Sequence, residues 1–222
     1  ALIFGGGTLL GLAGDADDHT EIGFLPVRRV SRLGGTTTED FDYRLVGELG
    51  RGGTGIVYQA HQRAVDREVA VKMLRPELAT QPHARLRFLT EARVIGGLDH
   101  PNVIALHEVC NDGDGGFFYS MKRIDGTSWN HPIAKNDEST NVDILLRVAD
   151  AIRYAHSRGL VHRDIKPENV MLGKFGEVLL ADWGLALRPE FDLKNDGTDP
   201  IGGTPAYMAP QLAGGAADAI TP

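Results

Sequence analysis

The run His162-Arg163-Asp164-Ile165-Lys166-Pro167-Glu168-Asn169 constrains this chain more than any other feature, together with the Asp182-Trp183-Gly184 that begins thirteen residues later. The two stretches bring two carboxylates, an amide and a lysine around one short loop. Any one of these residues is most simply a solvated loop charge. Eight consecutive fitting positions, with a second carboxylate at this spacing, are hard to explain that way.

The 222 residues suffice for one large domain or two modest ones with a real core. A net charge of -7 argues against nucleic acid or an anionic membrane as the main partner. Cys110 is the only cysteine, which excludes an internal disulfide and suits a reducing, cytoplasmic compartment. The longest apolar run is too short to span a bilayer. The chain does not open on Met, and Ala1-Leu2-Ile3-Phe4 lacks the basic flank of a signal peptide. It reads as an excerpt from something longer.

Residues 1–40 carry no sustained periodicity and read as a linker or pre-domain arm, with one short strand at Phe24 to Val30. From Tyr43 the texture changes. Strands are expected at Tyr43–Leu49, Gly55–His61 and Glu68–Leu74, the signature of a β-meander. His83–Gly97 has helical spacing at Leu86, Leu89, Val94 and Ile95. Val103–Val109 and Phe117–Arg123 read as two further strands joined by the turn Asn111-Asp112-Gly113. Val142–Arg158 reads as a helix through Ile144, Leu145, Val148, Ile152 and Tyr154, stopped by Gly159.

Gly50-Arg51-Gly52-Gly53-Thr54-Gly55-Ile56-Val57 fits G-x-G-x-x-G-x-V. Glycines let backbone amides approach phosphate oxygens with no Cβ in the way. The triplet alone is weak evidence, and a plain hairpin would also carry it. A dinucleotide fold needs a helix directly after such a loop, whereas Ile56-Val57-Tyr58 continues as a strand. Val69-Ala70-Val71-Lys72 puts a lysine inside an apolar strand, which is costly unless the charge is paired. Glu91, nineteen residues on, lies on the expected helix.

Taken together, these stretches and Gly203-Thr204-Pro205-Ala206-Tyr207-Met208-Ala209-Pro210 resemble the eukaryotic-type (Hanks-type) Ser/Thr protein kinases in their bacterial-like form. The resemblance implies an α+β, two-lobed fold. Residues 41–124 would form an antiparallel β N-lobe with one main helix, and the hinge. Residues 125–222 would form a partial, mostly helical C-lobe. It implies transfer of the ATP γ-phosphoryl group to a Ser or Thr hydroxyl of a protein, with ATP and Mg2+ as cofactors. By the same resemblance Asp164 accepts and orients the substrate hydroxyl, and Lys166 neutralises charge on the moving phosphate. Lys72 holds the α- and β-phosphates and is oriented by Glu91. Asn169 and Asp182 ligate magnesium through hard oxygens. Thr204 would bond Asp164 and Lys166.

The resemblance also assigns the pocket. Gly50, Gly52 and Gly55 cover the phosphates. Val57 and Ala70 from above, and Met171 from below, sandwich adenine. Met121 limits the rear of the pocket, and the Lys122 carbonyl and Ile124 amide pair with the adenine edge. Ile95, Leu106, His162 and Trp183 form a column linking the lobes. For most of these, simple core packing explains the residue equally well.

Two departures stand out. Gln211 occupies the position of the family's Ala-Pro-Glu glutamate, and the chain stops at Pro222, where a central C-lobe helix is expected. The resemblance therefore supports kinase function for the parent protein, not for the 222-residue piece by itself. The alternative is a nucleotide-binding pseudokinase module that regulates a partner. A small-molecule kinase is disfavoured, because those lack a Gly-Thr-Pro docking loop. By the same resemblance Arg163 would pair with a phosphate on the activation segment, where Thr198 is the only hydroxyl residue between Gly184 and Gly203; the alternative is that one of Glu190, Asp192, Asp196 and Asp199 serves Arg163 instead.

Overall fold

The computed structural model describes residues 28–29, 42–111, 116–189, 202–213 and 220–222. A six-stranded sheet contains β1 (Arg28–Arg29), β2 (Tyr43–Arg51), β3 (Gly55–Gln62), β4 (Arg67–Leu74), β5 (Leu106–Asn111) and β6 (Phe117–Lys122). Their order is β1-β5-β6-β4-β3-β2. All neighbours are antiparallel except β1, which runs parallel to β5 with Arg28 opposite Cys110. The expected short strand at 24–30 is thus seen at Arg28–Arg29, as an edge partner of β5.

One helix, α1 (Pro82–Gly96), packs on this sheet. Pro82 supplies the fixed φ that suits a first helical position. Its buried stripe is Phe88, Glu91, Ala92, Val94 and Ile95, so a carboxylate lies on the core-facing side. The opposite face of the sheet carries a second apolar cluster of Tyr43, Ala60, Val69, Val71, Cys110 and Phe118. There the Tyr43 hydroxyl bonds Glu108 and Ser120, and the Gln62 amide donates to the Tyr43 hydroxyl. Burial and the Glu108 carboxylate push the Tyr43 phenol well up from its ordinary value.

Below the sheet lie α2 (Glu138–Ser157) and a small antiparallel sheet of β7 (Gly126–Ser128), β8 (Val170–Gly173) and β9 (Val178–Leu180), in that order. The helix starts four residues before the expected Val142, because the Asp137 carboxylate caps it by accepting from the Thr140 amide at 2.6 Å. Its buried stripe is Ile144, Val148, Ala151 and Ala155; Leu145, expected to face inward, is 54% exposed. A four-residue helix, α3 (Pro210–Ala213), holds Gln211. The main core runs from α1 through β5 and β6 to α2 and β9, so one apolar body joins both halves.

The strand expected at Val103–Val109 begins later, at Leu106. Val103 closes a turn by donating to His100 and forms an isolated bridge with Leu180, so its partner is the lower sheet. The expected turn Asn111-Asp112-Gly113 lies partly outside the described residues.

At Gly126 two backbones meet too closely for a side chain. A Cβ there would stand 1.8 Å from the Leu172 carbonyl oxygen and 2.9 Å from Gly173 Cα. Gly126→Ala therefore has to part β7 from β8, at roughly 1–3 kcal/mol. A thermal melt of the full-length protein should show a drop of about 2–4 °C for each of those kcal/mol. Gly53→Ala is the control, since no atom lies within 4 Å of a Cβ there, and should melt like the parent.

Candidate active site

The loop 162–169 leaves α2 and returns into β8 through a turn at Pro167–Asn169. Its shape depends on the buried ring of His162. Nδ1 accepts the Asp164 amide at 3.2 Å, and Nε2 faces the Ala181 carbonyl at 3.2 Å. Burial holds the imidazole below its ordinary pKa and so neutral, which suits one donor and one acceptor nitrogen. Two non-glycine residues of the region are left-handed, Arg163 at φ 67 and Asp182 at φ 57. Strain of this kind collects at functional sites.

Asp164 is 8% exposed, and each of its carboxylate oxygens is held. Thr204 Oγ1 donates to Oδ1 at 2.7 Å. Lys166 Nζ donates to Oδ2 at 2.7 Å and to Thr204 Oγ1 at 2.8 Å. Asn169 Nδ2 donates to the Asp164 carbonyl at 2.8 Å and to Oδ2 at 3.1 Å. Burial pushes this carboxyl up, but the bonds from Lys166, Thr204 and Asn169 outweigh it and hold the carboxyl below its ordinary value. It is therefore ionised at neutral pH, an acceptor only.

In the upper half, Lys72 Nζ meets Glu91 Oε1 at 2.5 Å, with Lys72 12% and Glu91 3% exposed. A buried charge pair of this sort adds little net stability, because desolvation offsets the attraction. Val57 stands opposite Lys72 in the β3–β4 register, and Ala70 opposite Met121 in the β4–β6 register. Gly55 lies over the lysine stem; a Cβ there would be 3.1 Å from Lys72 Cε and 2.8 Å from the Met73 carbonyl oxygen. The glycine at this position thus lets the loop close on the lysine. Gly50 lies at the end of β2, opposite Val57, and Gly52 is in the turn to β3, its amide donating to the Gly55 carbonyl at 2.9 Å.

Gly184 links the two halves. A Cβ on it would lie 3.4 Å from Asp182 Oδ1 and 3.4 Å from Glu91 Oε2. Met121 and Lys122 end β6, Ile124 lies in the connection to β7, and Met171 sits on β8 beneath. The His162 and Trp183 rings pack at 4.5 Å between centroids, tilted by 60°. Ile95 and Trp183 lie in the same apolar core, and Leu106 packs against it. Arg163 donates from Nε to the Leu185 carbonyl at 2.6 Å. Its guanidinium also approaches Gly202, with Nη1 3.8 Å from where a Cβ would stand. Thr198 lies outside the described residues.

The donor chemistry fits Mg2+ and a nucleotide. Asn169 spends its amide nitrogen on Asp164, which turns its carbonyl oxygen, a hard donor, the other way. Asp182 adds a carboxylate. Among the described residues no three His, Cys, Asp or Glu side chains cluster as a metal cage. Mg2+ takes one or two protein oxygens and completes its shell with water and phosphate, and Asn169 and Asp182 offer two such oxygens.

Sequence reasoning missed Tyr119, whose buried hydroxyl donates to Glu91 at 2.9 Å. Its only sequence signal was a tyrosine within the apolar run of β6. It also missed Glu177, just before β9, which accepts from Lys122 Nζ at 2.6 Å.

A glycine turn over a paired lysine, set against a caged aspartate, defines a protein kinase domain. The profile of the protein kinase domain family matches residues 43–219, and the chain belongs to that family. Among its relatives are the serine/threonine-protein kinases PknD of Chlamydia muridarum, at 36% identity across 78% of this chain, and of Protochlamydia amoebophila, at 34% across 77%. The PknD of Chlamydia trachomatis serovar L2b is 35% identical across 76%. The chain spans 22%, 20% and 22% of those proteins respectively, about a fifth of their length.

Lys72→Met keeps the apolar stem and removes the cation paired with Glu91. In the full-length protein it should reduce phosphotransfer at least about a hundredfold with a cooperative melt retained. A radiolabel transfer assay beside a thermal melt checks this, and full activity would refute the assignment of Lys72.

Proposed function

We propose that the protein containing this chain is a MgATP-dependent Ser/Thr protein kinase acting on protein substrates in the cytosol. The observation that carries this reading is the Asp164 carboxylate, fixed at both oxygens by Lys166 and Thr204. Catalysis of phosphoryl transfer is chiefly positioning and electrostatics. An ionised aspartate held in this way can accept and aim a substrate hydroxyl. Lys166, already bridging Asp164 and Thr204, presents a cation beside that hydroxyl. Lys72, held by Glu91, presents a second cation under the glycine turn. Bound MgATP supplies the transferable phosphoryl group and the neutralising metal charge. The Lys122 carbonyl, the Ile124 amide and the apolar faces of Val57, Ala70, Met121 and Met171 would hold the adenine. The cytosolic assignment rests on Cys110, the chain's one cysteine, a buried thiol outside any disulfide. Among the described residues no helix is long and apolar enough to cross a membrane.

The pseudokinase alternative is not favoured, because Lys72, Asp164, Lys166, Asn169 and Asp182 are all present and the two ion-paired sets are assembled. Aspartate-to-asparagine changes separate the roles. Asp182→Asn should weaken MgATP binding about tenfold or more, whereas Asp164→Asn should bind MgATP like the parent and lose turnover by about a thousandfold. Calorimetric titration with MgATP beside a transfer assay tests this, and equal binding losses would refute the division of labour.

Thr198 is the proposed activating phosphosite. The Arg163 guanidinium, near Gly202, faces the end of the segment that carries it. If a phosphate on Thr198 engages Arg163, Thr198→Ala and Arg163→Ala each lower activity and the double variant loses little more. A Thr198→Ala protein as active as the parent, with no phosphate on residues 185–202 by mass spectrometry, would overturn it.

A further inference from the structure

Glu91 Oε1 accepts two hydrogen bonds, one from Lys72 Nζ at 2.5 Å and one from the Tyr119 hydroxyl at 2.9 Å. Tyr119 stands opposite Lys72 in the β4–β6 register and is 1% exposed. Its ring lies against the surroundings of both ion-pair partners. Lys72 Nζ lies 5.9 Å from the ring centroid, and Phe88, three residues before Glu91 on α1, packs against it at 5.1 Å. The second oxygen of Glu91 lies 3.4 Å from where a Cβ on Gly184 would stand.

We infer that Tyr119 is a positioning residue for nucleotide binding, its hydroxyl locking Glu91 in the orientation in which Glu91 holds Lys72. A carboxylate with one donor can turn about its last torsion and carry the lysine with it. A second donor, mounted on a central strand, removes that freedom. The same bond ties α1 to the sheet: moving the helix away would strand a buried hydroxyl and a buried carboxylate together, and both are costly to leave unpaired. Burial, with the negative charges of Glu91 and Asp182 close by, holds the phenol far above its ordinary pKa. Tyr119 therefore remains a donor at every working pH.

The inference rests on the proposed kinase reading, and a double-mutant cycle in the full-length protein tests the two separately. The proteins are the parent, Tyr119→Phe, Glu91→Gln and the double variant. Binding of MgATP is read by displacement of a fluorescent ATP analogue. KM for MgATP and for dephosphorylated casein are read by radiolabel transfer, and nucleotide-free melting by fluorescence. Tyr119→Phe keeps the ring and its contacts with Lys72 and Phe88, and removes one oxygen. It should weaken MgATP binding and raise its KM about tenfold, leave KM for casein unchanged, and add less than about twofold when Glu91 is already Gln.

MgATP affinity equal to the parent's in Tyr119→Phe, with Glu91→Gln impaired, would overturn the inference and spare the kinase reading. So would a loss that is the same in both Glu91 backgrounds, because the hydroxyl would then act through packing. Glu91→Gln binding and turning over MgATP like the parent would instead overturn the kinase reading. If Tyr119→Phe melts early, the nucleotide-induced rise in melting temperature replaces affinity in the same cycle, and the same outcomes decide for or against the lock.

Discussion

A buried carboxylate must be answered by donors, and the lower half of the molecule is arranged around that need at Asp164. The His162 ring fixes the backbone before it, Lys166 and Asn169 reach it from the same loop, and Thr204 reaches it from 40 residues downstream. Left-handed backbone at Arg163 and Asp182 costs on the order of 1–3 kcal/mol per residue. The network of charge-assisted bonds offsets that strain, and bonds of this type are about twice as strong as neutral ones. Losing one donor would leave a charge in a site that water reaches poorly.

The upper half repeats the logic with the sign reversed. Lys72 is the costly charge, Glu91 its answer, and Tyr119 the answer to Glu91. The two halves meet near Gly184, where a Cβ would touch both Glu91 and Asp182 at 3.4 Å. One continuous core from α1 to α2 and the tilted His162–Trp183 ring contact keep this geometry from being a chance meeting of two loops.

Most of the site was legible from the sequence because its residues lie in short, contiguous runs whose spacing is dictated by chemistry. The strands around the glycine turn were legible for the same reason: apolar alternation survives in β3 and β4, which are buried. What the sequence hid depends on long-range partners. Tyr119 looks like any aromatic in a strand until α1 brings Glu91 to it. Val103 carries the signal of a strand, yet it pairs with Leu180 from another sheet. Strands β7–β9 have only three or four residues each, too few for a period to emerge. On α2 the buried stripe includes two alanines, so the stronger apolar signal of Leu145 misled.

The strand β1 lies outside the stretch that the family profile matches, and it adds a parallel neighbour to β5 at Cys110 and Asn111. A sheet ending on β5 would offer a row of unpaired amides and carbonyls to any extended chain that drifted past. With Arg28–Arg29 in place, the rungs at Cys110 and Asn111 are already occupied by the protein's own backbone, which leaves less of that edge for a docking chain to extend.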